Sequence, residues 1–161
     1  MLSSAVTRGV KKLTRINYQF YVVVVGCGKI GLELATRLSS IGFNVTLIDK
    51  NPESFEKLPE DYGGFTVVGD ATEREILERA KAGKADLLIV TTEDDATNYF
   101  VSVVGAKIFG IPNIISLVND RENVPLFERT GIRVISPVSL AIESFEHSIL
   151  EGVEHVVGGS K

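Results

Sequence analysis

Six residues near the beginning of the chain have the spacing G-x-G-x-x-G, in the run Gly26-Cys27-Gly28-Lys29-Ile30-Gly31. In a nucleotide-binding loop of this kind the first glycine permits a tight turn, the second lets phosphate oxygens approach the backbone, and the third lets a helix pack closely on the sheet. The helix N-terminus offers unpaired N–H groups and a partial positive charge to phosphate. Because the motif follows the apolar run 21–25 and precedes a helical pattern, it predicts a phosphate-binding loop.

Asp49 ends the second apolar run, 18 residues after Gly31. A carboxylate in this place accepts hydrogen bonds from ribose hydroxyls and repels a 2′-phosphate. We therefore expect a nucleotide that carries adenosine, and we disfavour NADP. Lys50, the next residue, is included in the predicted site. The alternative role for Asp49 is to cap the following helix, but Asn51 is better placed for that.

Two residues inside the glycine motif have side chains that need an explanation. Lys29 falls at the first turn of the predicted helix, where a cation opposes the helix dipole. A bound polyphosphate would offset that cost, and an exposed lysine that reaches solvent is an equally good explanation. Cys27 would have a lowered pKa at a helix N-terminus, but we favour a small residue that fills the turn, and we expect no redox role.

Two later loops complete the predicted site. In Gly69-Asp70-Ala71-Thr72 the glycine and alanine leave space for an adenine ring, and Asp70 can bond its edge or order the loop. Thr91 and Thr92 can contact base, ribose or phosphate. The acids that follow, Asp94 and Asp95, suit the start of a helix better than a metal site. The predicted cofactor-binding residues are Gly26, Cys27, Gly28, Lys29, Ile30, Gly31, Asp49, Lys50, Gly69, Asp70, Ala71, Thr91 and Thr92.

Apolar, β-rich runs alternate with helical patterns along the rest of the chain, which is typical of a parallel sheet with helices on both faces. Together they predict an α/β, Rossmann-like doubly wound parallel sheet of six strands in the order 3-2-1-4-5-6, with ligands bound beyond the carboxyl ends of the strands. Thr72-Glu73-Arg74-Glu75 has the pattern of a helix capping box. The predicted strands are 21–25, 44–48, 65–68, 86–91, 113–118 and 133–135, and the predicted helices are 29–41, 72–81, 94–109, 122–130 and 137–150.

Length and composition limit the function. The 161 residues suffice for one domain, and the net charge of −4 argues against a partner that is nucleic acid. A single cysteine, Cys27, excludes an internal disulfide, and two histidines near the C-terminus make a histidine-centred metal site unexpected. The chain has no Tyr-x-x-x-Lys pair, no G-x-x-x-x-G-K-[ST] loop and no second domain to hold a substrate. We therefore expect a nucleotide sensor and not an enzyme.

The charge divides the chain into three predicted parts. Residues 1–17 form a basic N-terminal arm, residues 18–151 the nucleotide-binding domain, and residues 152–161 a flexible C-terminal tail. The arm has four basic and no acidic residues, and a solvated tail is the favoured interpretation. The alternative is a short amphipathic helix that contacts a membrane surface or an acidic partner, with Leu2, Val6, Val10 and Leu13 on one face.

The domain resembles the RCK N-terminal domain, also called the TrkA-N domain. The resemblance covers about residues 17–150 and is carried most specifically by Gly69-Asp70-Ala71-Thr72 and Val134-Ile135-Ser136-Pro137. It also rests on Gln19-Phe20, Val25 with the glycine motif, Leu47-Ile48-Asp49, Leu77, Ala85-Asp86, Leu88-Ile89-Val90, Asp95 with Asn98, Ile111-Pro112-Asn113-Ile114 and the run 126–132.

The resemblance implies a cytosolic regulatory subunit of a Trk- or Ktr-type potassium uptake system, which binds NAD(H), ATP, ADP or AMP and gates a membrane transporter. It implies that the glycines and Lys29 hold phosphate, Asp49 the ribose, and Asp70-Ala71 the adenine, with Thr91 close by. Members often have an arginine where this chain has Asn119, and they commonly continue into an RCK-C domain. The resemblance thus also implies a cytoplasmic location, peripheral to the membrane through the transporter, and a separate RCK-C protein as a possible partner.

Two further expectations concern assembly and the alternative function. The last predicted helix places Val138, Ile142, Phe145 and Ile149 on one apolar stripe. We expect this stripe to form a homodimer or a higher ring, and the alternative is that the helix folds back onto its own sheet. The alternative function for the whole chain is an NAD-dependent oxidoreductase or a fragment of one, against which the missing catalytic groups weigh.

Overall fold

The structure is a computed structural model that describes residues 19–158 together with Arg8, Gly9 and Lys12. Its strands are β1 (Tyr21–Val25), β2 (Asn44–Asp49), β3 (Phe65–Val68), β4 (Leu87–Val90), β5 (Ile114–Leu117) and β6 (Arg133–Ile135). Its helices are α1 (Lys29–Ser40), α2 (Arg74–Arg79), α3 (Asp95–Lys107), α4 (Val124–Glu128) and α5 (Pro137–Gly158). Short 3-10 turns occupy Pro52–Lys57, Ala82–Lys84 and Arg121–Asn123.

All six strands are parallel and lie in the order β3-β2-β1-β4-β5-β6, which confirms the predicted sheet. The strand β1 lies at the centre and pairs with β2 on one side and β4 on the other. Its residues are apolar on both faces because helices cover the sheet from both sides. The order of the strands reverses between β1 and β4, and this is the place where open α/β sheets bind their ligands.

The two faces of β1 belong to two different cores. Val22 and Val24 pack in a cluster with Ala35 and Leu38 of α1. The opposite face of β1, with the helices α2 and α3, forms the second cluster. A third, smaller cluster surrounds Phe127 of α4. The alternation of side chains along β1 therefore attaches α1 to one face and the later helices to the other.

The helix starts that the sequence predicts are partly confirmed. The side chain of Asn51 accepts a hydrogen bond from the Glu53 amide at the first 3-10 turn, and Asp94 accepts one from the Thr97 amide at α3. The prediction of a capping box that begins at Thr72 is wrong. The Thr72 hydroxyl donates instead to the Asp70 carboxylate, and α2 begins at Arg74 without a side-chain cap. The Asp70 carboxylate is only two residues from Thr72, and it bonds to both the amide and the hydroxyl of Thr72 in a local turn. This local turn competes with the use of the Thr72 hydroxyl as a helix cap.

The last helix differs most from its prediction. It runs from Pro137 to Gly158, so residues 152–158 continue the helix instead of forming a tail. Residues 159–161 and most of the predicted basic arm 1–17, including the four apolar residues of its proposed face, lie outside the described residues. None of the described helices combines the length and the apolar character needed to cross a bilayer.

The apolar stripe of α5 is exposed and does not pack on the sheet of its own chain. Phe145 is 70% exposed and Val138 is 48% exposed. Ile142 and Ile149 are exposed as well, and so is Ile135 at the end of the preceding strand. The structure therefore does not show the alternative, in which α5 folds back onto the sheet of its own chain.

Candidate functional site: a pocket at the carboxyl ends of the strands

A cavity of about 420 Å³ opens beyond the carboxyl ends of β1 and β4, where the strand order reverses, and its volume is within the size range of small-molecule sites. Loops that follow four of the parallel strands form its walls. All predicted site residues line it except Lys29, Ile30 and Gly31. The lining residues are Val25, Gly26, Cys27, Gly28, Ile48, Asp49, Lys50, Ser54, Lys57, Gly69, Asp70, Ala71, Thr91, Thr92, Glu93, Asp94 and Thr97.

The glycine loop is shaped by close backbone approaches. Gly26 has a φ of +96°, and a Cβ on it would lie 2.9 Å from the carbonyl carbon of Thr91. A Cβ on Gly31 would overlap the carbonyl oxygen of Gly26, so α1 packs directly against the loop. A Cβ on Gly28, by contrast, would meet no atom within 4 Å. Gly28 therefore presents its bare backbone to open space at the start of α1, as a phosphate loop requires.

Thr91 holds this loop from the neighbouring strand. Its hydroxyl, which is buried, lies 3.0 Å from the carbonyl oxygen of Val25 and 3.1 Å from that of Gly26. A hydroxyl has only one proton to donate, and both of these neighbours are acceptors. Thr91 thus fixes the turn of the loop, and its hydroxyl proton is already used within the protein.

Asp49 connects the glycine loop to the turn after β2. One carboxylate oxygen accepts from the Cys27 amide at 2.7 Å, and the other accepts from the Asn51 amide at 2.8 Å and lies 3.4 Å from the Ser54 hydroxyl. A carboxylate offers about four acceptor positions, so the oxygen bonded to Cys27 can accept another donor from the cavity. The side chain that the sequence assigns to the ribose is therefore also a structural support of the loop.

Cys27 is a buried structural residue. Burial, followed by the nearby Asp49 carboxylate, raises the pKa of its thiol to about 11, although Lys57 opposes the shift. The sulfur lies 3.2 Å from the carbonyl oxygen of Ser54. At neutral pH the thiol is therefore protonated, and this agrees with its predicted role as a small residue that fills the turn.

Asp70 orders the loop after β3. One of its carboxylate oxygens accepts from the Thr72 amide at 2.9 Å and from the Thr72 hydroxyl at 2.7 Å. These hydrogen bonds, the amide first, lower the pKa of Asp70, and Lys50 adds to the effect. The second oxygen of Asp70 makes neither of these bonds. Ala71, which follows, is buried and adds only a methyl group to the wall.

The loops after β4 and β5 are held by two side chains of α3. Asn98 is fully buried, accepts from the Thr92 amide and hydroxyl, and donates to the carbonyl oxygens of Thr92 and Leu117. Asp95 accepts from the backbone amides of Asn119 and Asp120 at 2.8 and 3.0 Å. Burial disfavours the charge on Asp95, but these and other donors outweigh it and lower the pKa. Together the two residues fix the loops after β4 and β5.

Several residues of the cavity were missing from the predicted set. Ser54 and Lys57 lie on the 3-10 turn after β2, and Lys57 joins Lys50 as a second cation of the lining. Glu93 and Thr97 belong to the loop and helix after β4. In the sequence, these four residues are indicated only by their position after strands whose carboxyl ends meet at the cavity. Lys29 is exposed and lies outside the lining, Ile30 is exposed, and Gly31 is buried beneath the loop.

A comparison with protein families matches residues 22–137 to the TrkA-N domain. A Trk system potassium uptake protein TrkA homolog from Methanothermobacter thermautotrophicus is 32% identical over 130 residues, which cover 80% of this chain and 60% of that protein. The chain spans between 48% and 60% of the length of the first four curated relatives that it matches.

Solved structures show the same fold in the GsuK protein. The GsuK channel bound to NAD superposes with a TM-score of 0.70 at 28% identity, over 85% of this chain and 24% of that one. GsuK bound to ADP superposes with a TM-score of 0.67 at 28% identity, over 79% of this chain and 33% of that one.

The burial of Cys27 leads to a prediction about its reactivity. Because the thiolate is the reacting species and the pKa of the thiol is about 11, alkylation by iodoacetamide at pH 8 is expected to be roughly a hundredfold slower in the folded chain than in the chain unfolded by guanidinium. Mass spectrometry over time measures both rates. Equal rates in the two states would contradict the assignment of Cys27 as a protonated, structural residue.

Proposed function

This chain belongs to the TrkA-N domain family, and from that premise we propose that it is a nucleotide-binding regulatory domain of a potassium transport system. The observation that carries the proposal is the preformed cavity at the switch point of the sheet, with the open backbone of Gly28 at a helix N-terminus on one side and the Asp49 carboxylate on the other. The curated relatives that are Trk potassium uptake proteins support the transport role.

The ligand that we propose is an adenine nucleotide, either NAD(H) or one of ATP, ADP and AMP. Its phosphates would lie at Gly28 and the start of α1, with Lys50 and Lys57 as the cations of the cavity. Its ribose would donate to Asp49, and its adenine would lie against Gly69 and Ala71. The GsuK structures with NAD and with ADP support both ligand classes.

A regulatory role, and not catalysis, suits the side chains of the cavity. The Thr91 hydroxyl is used to hold the loop, and the Cys27 thiol is protonated. Asp49 and Asp70 are bound to backbone amides and so act first as supports. Since these groups are engaged in fixing loops, we propose that the bound nucleotide is sensed and is not chemically changed.

The exposed helix α5 provides a route to a partner. A stripe of large apolar side chains in water is unfavourable for a monomer, and we propose that it packs on a second copy of the chain in a homodimer or a higher ring. In this scheme the assembly acts on a membrane potassium transporter from the cytoplasmic side, either directly or with a separate RCK-C protein. Nucleotides then regulate transport only if they bind two arrangements of the assembly with different affinity.

A panel of nucleotides tests the binding function. NAD, NADH, ATP, ADP or AMP is expected to raise the melting temperature of the chain more than NADP does, because the Asp49 carboxylate would face the 2′-phosphate. Differential scanning fluorimetry measures the shifts, and absorbance at the NADH band tests for turnover with candidate substrates. Stabilisation by none of the adenine nucleotides would contradict the proposal, and catalytic oxidation of NADH would favour an oxidoreductase.

A substitution of Asp49 tests the predicted contact with the ribose. Asp49→Ala is expected to weaken NAD binding by about 1–3 kcal/mol, the range for a lost hydrogen bond to a charged group. It should also reduce the preference for NAD over NADP, since the charge that repels the 2′-phosphate is gone. Asp61→Ala removes an exposed acid outside the cavity and should change neither quantity.

Isothermal titration calorimetry of both variants with NAD and NADP gives the two affinities. A general loosening of the glycine loop by Asp49→Ala would weaken both nucleotides equally. An unchanged ratio of the two affinities would therefore remove Asp49 from contact with the ribose, even if the binding of both became weaker.

The proposed dimer can be tested on α5 itself. The double variant Phe145→Asp, Ile149→Asp is expected to be a monomer, since two charges would have to be buried in the interface. Ser144→Asp, Ser148→Asp introduces the same number of charges on the same helix away from the stripe and should remain a dimer. Light scattering at micromolar concentration measures the mass. A monomeric wild type, or a dimer that survives the first double variant, would contradict the proposed interface.

A further inference from the structure

A second cavity, of about 550 Å³, lies at the opposite end of the sheet from the nucleotide pocket. Its floor is formed by residues of β1, β2 and β3, among them Tyr21, Thr46 and Phe65. Tyr21, Asn44 and Phe65 are the first residues of these strands, so the cavity is at the amino ends of a parallel sheet. The short helix α2 and the turn that follows it form the rim.

Every charged side chain in the described lining of this cavity is a cation. Arg79, Lys81 and Lys84 contribute to the rim, and among the residues that the structure describes no carboxylate lines the cavity. Within the part of the chain that the structure describes, none of the three makes a salt bridge, whereas the nearby Glu78 pairs with Arg74. Three like charges around one cavity repel each other, and attraction to a bound anion would offset that repulsion.

The backbone holds these three cations in a fixed turn. The Lys81 amide donates to the carbonyl oxygen of Glu78 at 2.8 Å, and the Lys84 amide donates to that of Lys81 at 2.9 Å. Lys81 has a φ of +52°, and it is the only non-glycine residue in the described part of the chain with a positive φ. This position, directly after a helix, is one where glycine is usually preferred. A lysine with this backbone conformation costs conformational energy that a glycine would avoid. The presence of a lysine instead of a glycine therefore suggests that its side chain has a role.

The favourable interaction of a cation with a helix C-terminus explains only part of the cluster. Arg79 is in the last turn of α2, where a positive charge is stabilising. However, α2 has only 6 residues, and the 3-10 turn that carries Lys84 has 3. Such short elements supply little dipole, and Lys81 belongs to neither of them. The presence of three cations around one cavity is therefore not explained by the helix dipole alone.

The floor of the cavity is uncharged and combines hydroxyl and amide side chains with the apolar Phe65 and Val67. The Tyr21 hydroxyl lies 2.5 Å from the carbonyl oxygen of Ala80 and 2.9 Å from the Thr46 hydroxyl. Burial raises the pKa of Tyr21, so the phenol stays neutral. The carboxylate of Asp86, which is close in sequence to the rim, accepts from the Tyr21 amide at 2.8 Å and does not line the cavity. An anion in the cavity would therefore meet the three cations of the rim and no carboxylate among the described lining residues.

We propose that the cavity bounded by Arg79, Lys81 and Lys84 is a second binding site, for a small soluble anion with several negative charges such as a polyphosphate. The site is separated from the nucleotide pocket by the length of the strands, and it shares no lining residue with that pocket. Its occupant would stabilise the turn 79–84 and the start of the three strands.

Nuclear magnetic resonance with a defined probe tests this site. Inorganic tripolyphosphate is titrated into the full chain labelled with ¹⁵N, and amide shifts are followed. Saturable shifts are expected at residues 65–67 and 79–84, and they should fit a binding curve separate from any shifts at residues 26–31. In Lys81→Gln, Lys84→Gln the affinity at residues 79–84 should fall about tenfold, as expected for the loss of two partly solvated ionic contacts.

A matched variant controls for the general loss of positive charge. Lys107→Gln, Arg129→Gln removes two exposed cations elsewhere and should leave the affinity unchanged. The absence of saturable shifts at residues 79–84 would overturn the proposal, and so would an equal loss of affinity in both double variants. Cosedimentation with phosphatidylglycerol vesicles distinguishes a membrane surface. Binding to vesicles that depends on Lys81 and Lys84, without binding of tripolyphosphate, would also overturn it.

Discussion

The contact of α1 with the glycine loop is the constraint on which the cavity at the carboxyl ends of the strands depends. Gly31 leaves no room for a Cβ against the carbonyl oxygen of Gly26, and the same place is closed on its other side by the Thr91 hydroxyl. This contact brings the first turn of α1 directly onto the sheet between β1 and β4. Because the helix cannot move away without opening a gap in the core, its N-terminus and the open backbone at Gly28 stay directed into the cavity.

The other loops of the pocket are fixed by side chains that bond to backbone amides. Asp49 joins the glycine loop to the turn after β2, Asp70 orders the loop after β3, and Asn98 fixes the loop after β4. Each of these polar groups has hydrogen-bond partners within the protein. Binding would therefore require little ordering of the chain, and the binding free energy that would otherwise be lost to ordering is retained.

The sequence predicts the sheet order and the central features of the pocket because both depend on local patterns. Apolar runs define the strands, and the glycines and Asp49 stand at fixed distances from them. Other features depend on which of two hydrogen-bond partners a side chain chooses, or on contacts between residues far apart in the sequence. Thr72 bonds to Asp70 and not to a helix, and Lys57 reaches the cavity only because a 3-10 turn follows β2. No local pattern distinguishes such outcomes, since they are decided by which partner is nearer in the folded chain.

The structure joins the pocket to α5 through a short series of contacts. Thr92 lines the pocket and is bonded to Asn98, which donates to the carbonyl oxygen of Leu117 at the end of β5. Leu117 pairs with Ile135 of β6, and α5 begins two residues later, at Pro137. Continuity alone does not make two sites coupled, because coupling requires an element with two arrangements. The apolar stripe of α5 is exposed on the single chain, so in the proposed assembly the partner that covers this stripe would determine which arrangements exist. Regulation would then be a property of the assembled form, and the single chain would provide the cavity and its connection to α5.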